Sequence, residues 1–188
     1  MEKIDLDDKD RKIISIFEEN PEASQADIAQ QVSLSQPTVG ARIQKLRQSG
    51  ALESTAGIDL KRMGLNLAKV DLTTRGSIDI IKQFKGCPYF LNGMIVSGRE
   101  NLCLFFVAED IATIEALVDR HLRSNPAVSA VELGIVISQV YGMVQPVKMA
   151  LEKSDKSQCG LDCSECQYYQ NNQCLGCPAT KYYKGKFW

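Results

Sequence analysis

The chain has 188 residues, 44% hydrophobic and 24% charged, which suits one large or two small domains plus a tail and excludes a disordered or collagen-like chain. Its net charge is −1, so any contact with nucleic acid must come from a local basic stripe. No apolar run approaches bilayer thickness and no charged-then-apolar N-terminus reads as a signal peptide, so no membrane partner is expected and the cytoplasm is the expected compartment.

Asp7 or Asp8 can cap a first helix running to about Asn20, with Ile13, Ile14, Ile16 and Phe17 on its apolar side and Pro21 as its stop. A second short helix spans roughly Gln25 to Gln31, followed by the turn Ser33-Leu34-Ser35. Ser35 can cap a third helix, Pro37 fits its first turn, and Gly50 ends it. Val39, Ile43 and Leu46 form its apolar stripe. Thr38, Ala41, Lys45 and Gln48 project from the other side, with Gln36, Arg42 and Arg47 at the margins. Between Gln36 and Gly50 there are three cations and no acid. A solvated hairpin of helices would carry such a face; so would a helix-turn-helix offering polar side chains to a major groove. The DNA-contact candidates are Ser35, Gln36, Thr38, Arg42, Lys45 and Gln48. Ala51–Ile58 then reads as a short extended ribbon, either a wing or the start of a hinge.

From Leu65 the period changes. Ala68, Val70 and Leu72 alternate with polar residues as in a half-buried strand. Ile78, Ile81 and Phe84 mark a short helix closed by Gly86-Cys87-Pro88. Strands at Phe90–Val96 and Leu102–Val107 flank the turn Ser97–Glu100. Asp110 caps a helix through Leu122, and Val131 to Ile137 alternate in a last strand. This order is βαββαβ, the ferredoxin-like arrangement. The run LCLFFV is apolar enough that the helix-free sheet face is expected to meet another subunit. The fold class is therefore α+β. The expected domains are a winged helix-turn-helix at 1–58, the βαββαβ domain at 59–145, a linker at 146–157 and a cysteine-rich tail at 158–188.

Five of the seven cysteines crowd into that tail, as Cys159-x3-Cys163-x2-Cys166-x7-Cys174-x2-Cys177. In a cytosolic chain this points to metal or redox chemistry over structural disulfides. Paired Cys-x2-Cys on a short polar loop suits zinc; an iron–sulfur cluster is the alternative ligand, and a dithiol switch for redox sensing the third reading. A metal would also stabilise a segment too small for a core of its own. Cys87 and Cys103 read as small buried hydrophobes, and His121, the only histidine, as structural. Tyr182, Tyr183, Phe187 and Trp188 read as packing for the tail or for a neighbouring subunit, with an aromatic nucleic-acid platform as the alternative. No Ser/His/Asp set, phosphate-binding glycine loop or acid–base pair indicates an enzyme.

Over Ile4–Gln145 the chain resembles the Lrp/AsnC family of transcriptional regulators. The resemblance rests on IDLDDKDRKIISIFEENPEASQADIAQQVSLSQPTVGARIQKLRQSGAL, on the hinge-like GIDLKRMGLNL, on SGRENLCLFFV, and on the domain order. It implies binding of double-stranded DNA by a homodimer, often assembled to tetramers or octamers, and a small-molecule effector, commonly an amino acid, held between subunits. Ser35–Gln48 becomes the recognition helix. Gly98, Arg99 and Asn101 become effector-binding candidates, in a turn that otherwise reads as a plain polar hairpin. The family's turn usually ends in Asp where this chain has Asn101, which removes a charge suited to an ammonium group. The segment CGLDCSECQYY…CLGCP resembles cysteine-rich modules attached to various microbial proteins.

Overall fold

A computed structural model describes residues 4–140, 142–157 and 159–188. Tyr141, expected near the end of the 59–145 domain, and Gln158, expected to begin the tail, lie outside the described residues. The chain divides into two compact units, Met1–Thr55 and Ala56–Trp188.

The first unit holds α1 (Asp8–Glu19), α2 (Gln25–Val32) and α3 (Gln36–Gln48). Asp7 caps α1 reciprocally: its carboxylate accepts from the Asp10 amide at 2.8 Å while the Asp10 carboxylate accepts from the Asp7 amide at 3.3 Å. Ser24 caps α2 and Ser35 caps α3 through the amide three residues on. Ser33 closes α2 in the left-handed region (φ 55°), which turns the chain sharply into α3. Lys9 reaches from α1 to the Val32 carbonyl at 2.5 Å and satisfies an acceptor the helix end leaves open. Ile13, Ile28, Val32, Val39, Ile43 and Leu46 fill the space between the helices. The ribbon after α3 takes the hinge form. Its one strand, β1 (Ile58–Asp59), pairs within the second unit with β6 (Val144–Gln145).

The second unit contains β2 (Asn66–Thr74), α4 (Ser77–Gln83), β3 (Phe90–Ile95), β4 (Leu102–Ala108), α5 (Ile111–Val118) and β5 (Val128–Ile135). The antiparallel sheet runs β3-β4-β2-β5, the ferredoxin-like topology. Alternate residues of β2 and β4, among them Val70, Leu72, Leu104 and Phe106, meet Ile80, Phe84, Ile114, Val118 and Leu122 from the helical layer. Two expectations shift. β5 ends at Ile135, not Ile137: the Val136 amide still donates to the Leu67 carbonyl at 2.9 Å, but Ile137 has left the sheet and is 87% exposed. The helix expected through Leu122 is α-helical only to Val118 and then widens into a π-helical turn, Asp119–Arg123.

The far sheet face, expected to be closed by another subunit, is covered in part by the chain itself. Leu60, Leu65, Val147 and Phe187 pack on Leu67 and Val107. The tail does not stand apart behind a free linker. Ser154 bridges to Thr180, and the tail belongs to the same compact unit as the sheet. The physical reason is its aromatic end. Trp188 joins the cores on both sides, edge-on to Tyr89 and Phe187 at 5.3 and 4.6 Å between centroids.

Candidate functional site

On α3, the three stripe residues Val39, Ile43 and Leu46 are buried, which fixes what the rest of the helix presents. Ser35, Gln36, Thr38, Ala41, Lys45 and Gln48 are all exposed. No hydrogen bond or ion pair among the described residues occupies the side chains of Gln36, Lys45 or Gln48, while Ser35 and Thr38 share a hydroxyl contact at 2.7 Å. The face is thus small, polar and free to pair.

Arg42 is different. Its guanidinium lies 2.7 Å from both Asp7 and Asp10, and Asp10 is 7% exposed. The Asp10 amide and then Arg42 hold the Asp7 carboxyl below the usual carboxylate range. Arg42 therefore braces α3 against the start of α1, and its charge is already matched inside the unit. Sequence reasoning missed this because the two acids lie a full helical hairpin away. Arg42→Ala strands the buried Asp10 charge and is expected to destabilise the first unit by about 1–3 kcal/mol, read as a lower melting temperature. Because the Asp7 pKa is lowered, that pair's contribution is present above the ordinary carboxylate range and fades as pH falls through the lowered value.

The turn at Gly98–Asn101 splits likewise. Gly98 (φ 131°) and Arg99 lie in an exposed hairpin turn. Asn101 is a clamp: its side chain donates to the Thr74 carbonyl at 2.8 Å and accepts from the Thr74 amide at 3.0 Å. Both ends of its amide are spent on β2. Asn101→Ala is expected to cost about 1–2 kcal/mol of stability in the second unit, measured by denaturant titration.

The five tail cysteines converge. With Cys87 they line one cavity of about 80 Å³, closed on its other side by Thr113, Ala116, Arg120 and His121 of α5 and its π-helical turn. All seven cysteines of the chain are unbonded thiols. The tail is held over the cavity by three contacts. Thr113 Oγ1 accepts from the Leu175 amide at 2.9 Å, the Tyr89 hydroxyl donates to the Gly176 carbonyl at 2.5 Å, and the Tyr168 hydroxyl donates to Asp119. Beyond it, Glu109 accepts from the Tyr183 hydroxyl and from the Lys186 and Phe187 amides at 3.0 and 3.1 Å, which fixes the C-terminus.

The thiols are not equivalent. Burial raises the Cys159 thiol, but hydrogen bonds from His121, Ser157 and the Leu161 amide outweigh it and bring it down to about 7. Burial pushes Cys177 up to about 11 and Cys87 up to about 12. Cys87 packs against the sheet-domain core and His121 lies edge-on to Phe84, as their structural readings expect, and both also line the cavity of the tail cysteines. Cys103, on β4, is buried away from it. Among the described residues no three His, Cys, Asp or Glu side chains are drawn together around one point as for a single ion.

Residues 6–47 match the AsnC-type helix-turn-helix domain. An HTH-type transcriptional regulator of Mycobacterium tuberculosis is 29% identical over 146 residues, 75% of this chain and 98% of that protein. The crystal structure of an AsnC family transcriptional regulator from Agrobacterium tumefaciens superposes with a TM-score of 0.60 at 27% identity, covering 75% of this chain and 97% of that one. A transcriptional regulator of Neisseria meningitidis, solved as a complex with L-Met, has a TM-score of 0.62 at 19% identity, over 76% of this chain and 97% of that one. Each match leaves about a quarter of this chain uncovered, a share about as long as the segment beyond Gln145.

Proposed function

We propose that this chain, a DNA-binding transcriptional regulator of the Lrp/AsnC type, has its DNA binding set by the state of the C-terminal cysteine site. The regulator reading starts from the AsnC-type helix-turn-helix and its regulator relatives; these are transcription factors, not enzymes. One observation carries the finer reading: the tail cysteines close over α5 of the βαββαβ domain, so whatever they hold bears directly on that domain. A thiolate-held metal, zinc or an iron–sulfur cluster, would pin the Cys174–Cys177 knuckle on Thr113 and Tyr89. Oxidation or loss of the metal would release it. Two arrangements of one element, biased by the site, are what a switch requires.

The chain acts in the cytoplasm as a homodimer, or a tetramer or octamer built from dimers, on double-stranded DNA. Support for self-association comes from exposed apolar residues Met94, Ile95 and Val96 on and beside the edge strand β3, and Ile137 and Val140 beyond the other edge strand. No helix among the described residues is long and apolar enough to cross a membrane. On this reading Ser35, Gln36, Thr38, Lys45 and Gln48 meet the major groove, and Arg42 positions them.

A second reading places control in an amino-acid-like effector at Gly98, Arg99 and Asn101, with a purely structural zinc tail. The neisserial neighbour's L-Met complex favours it; the commitment of Asn101 to Thr74 counts against it. Selection from a pool of random DNA duplexes tests the regulator reading. The full chain is expected to enrich a two-fold symmetric motif. Recovery of unselected sequence, or of single half-sites only, would refute the dimeric operator-binding reading.

A further inference from the structure

The sequence treats the five tail cysteines as a self-contained set; the cavity does not. We infer that Cys87 and His121 of the βαββαβ domain complete, with the tail thiols, a composite site for a polynuclear iron–sulfur cluster. This rests on the reading that the tail holds a metal, and narrows it in ligand set and occupant.

Size is the first argument. Four thiolates at about 2.3 Å from a zinc ion lie about 3.8 Å from one another, in van der Waals contact, and leave no void. Here six cysteines, together with His121, Arg120 and aromatic side chains, line about 80 Å³, several times the roughly 10–15 Å³ that admits one water. This one space is larger than a single ion fills.

Donor chemistry is the second argument. Polar hydrogens meet two of the sulfurs: the Gly176 amide donates to Cys174 Sγ at 3.4 Å, and the Ser157 hydroxyl lies 3.1 Å from Cys159 Sγ. Such hydrogen bonds to sulfur stabilise thiolate ligands and the sulfides of a cluster. Arg120, lining the same wall, has a buried Nε with no acceptor among the described residues. A buried donor without a partner is costly, and an anionic cluster at this wall supplies one.

His121 is placed as a ligand would be. Its Nδ1 lies 3.2 Å from the Gln83 side-chain amide, which leaves Nε2 as the nitrogen for the cavity that His121 lines with the cysteines. A ligating histidine is commonly held in this way, by a partner on its other nitrogen. The π-helical turn brings Arg120 and His121 to the cavity wall together, and π-bulges favour functional positions. Imidazole among thiolates is an established cluster donor set and raises the potential relative to thiolates alone.

The test uses the full chain purified without oxygen, then refilled with ferric iron and sulfide, with a thiol as the partial reductant of the iron. Iron, acid-labile sulfide, visible absorption and electron paramagnetic resonance are measured for the wild type, Cys87→Ser, His121→Ala, His121→Cys and Cys103→Ser. The expected wild type holds iron and sulfide in near-equal amounts with a broad visible band. His121→Ala and Cys87→Ser shift the resonance spectrum and lose iron to a chelator about tenfold faster or more. His121→Cys, which keeps a donor, retains the cluster with an altered spectrum and guards against a folding loss in the alanine variant. Cys103→Ser matches the wild type. One zinc per chain with no sulfide would overturn the cluster inference and leave the metal reading standing. A cluster whose spectrum and iron retention are the same in Cys87→Ser and His121→Ala would confine the site to the tail and overturn the composite set. Neither metal nor sulfide would overturn this inference and the metal reading beneath it.

Discussion

Lys45→Ala combined with Gln48→Ala lowers affinity for the selected operator by about a hundredfold and leaves the melting temperature unchanged. Both side chains are exposed on the α3 face, and neither has a hydrogen-bond or ion-pair partner among the described residues, so their removal opens no cavity and strands no charge. A base-edge contact is worth about 1–3 kcal/mol, and two such contacts account for the factor. The single changes should differ in kind. If Lys45 meets a phosphate, its loss weakens binding to all sequences and reduces the salt slope by about 1. If Gln48 meets a base, its loss relaxes preference at one position of each half-site. Arg42→Ala is the contrast, because its defect appears in the melting curve of free protein as well as in binding. Equal affinity of the double variant and the wild type would remove α3 from the interface.

Cys174→Ser with Cys177→Ser is expected to abolish metal retention and to open the tail. The knuckle between these residues carries the Leu175 amide and Gly176 carbonyl that dock on Thr113 and Tyr89, and Lys184 reaches back to it. Losing a structural metal can cost on the order of 10 kcal/mol in a domain folded by its metal alone. Here the βαββαβ core persists, so the loss falls on the tail. Trp188 reports it directly. It is the chain's only tryptophan, its indole nitrogen is buried, and it packs against Tyr89. Its emission should move to the red and become accessible to quenchers in the double variant, with the helical signal of the first unit retained. Unchanged emission would mean that the aromatic end docks without the cysteine site.

What the sequence disclosed and what it withheld divide along contact range. The caps at Asp7 and Ser35, the Val39-Ile43-Leu46 stripe and the alternation of β2 are local patterns, and the folded chain uses them as the pattern implies. The role of Arg42 depends on acids from another helix, and the clamp at Asn101 on a neighbouring strand. Spacing carries neither. The cavity is the extreme case. Cys87 follows Gly86, whose left-handed turn (φ 83°) was legible only as a helix stop, and His121 sits in a π-helical turn that no periodicity announced. A Gly-Cys-Pro stop and a lone histidine beside an apolar stripe were the available signals, and each has a commoner structural meaning. The tail's packing was foreshadowed by its four terminal aromatics, but not its position on the sheet domain.

The central claim is that the cysteine site and the DNA-reading helix are coupled. The most direct measurement is the binding isotherm of the full chain on its selected duplex, without oxygen, for protein with the site filled and for the same protein stripped by a chelator, with oligomer size recorded in both states. Coupling between sites of this kind is typically about 1–3 kcal/mol, so the account predicts a shift in Kd of about 5-fold or more, or a change in oligomer size. Superimposed isotherms and identical assembly in the filled and stripped states would contradict it.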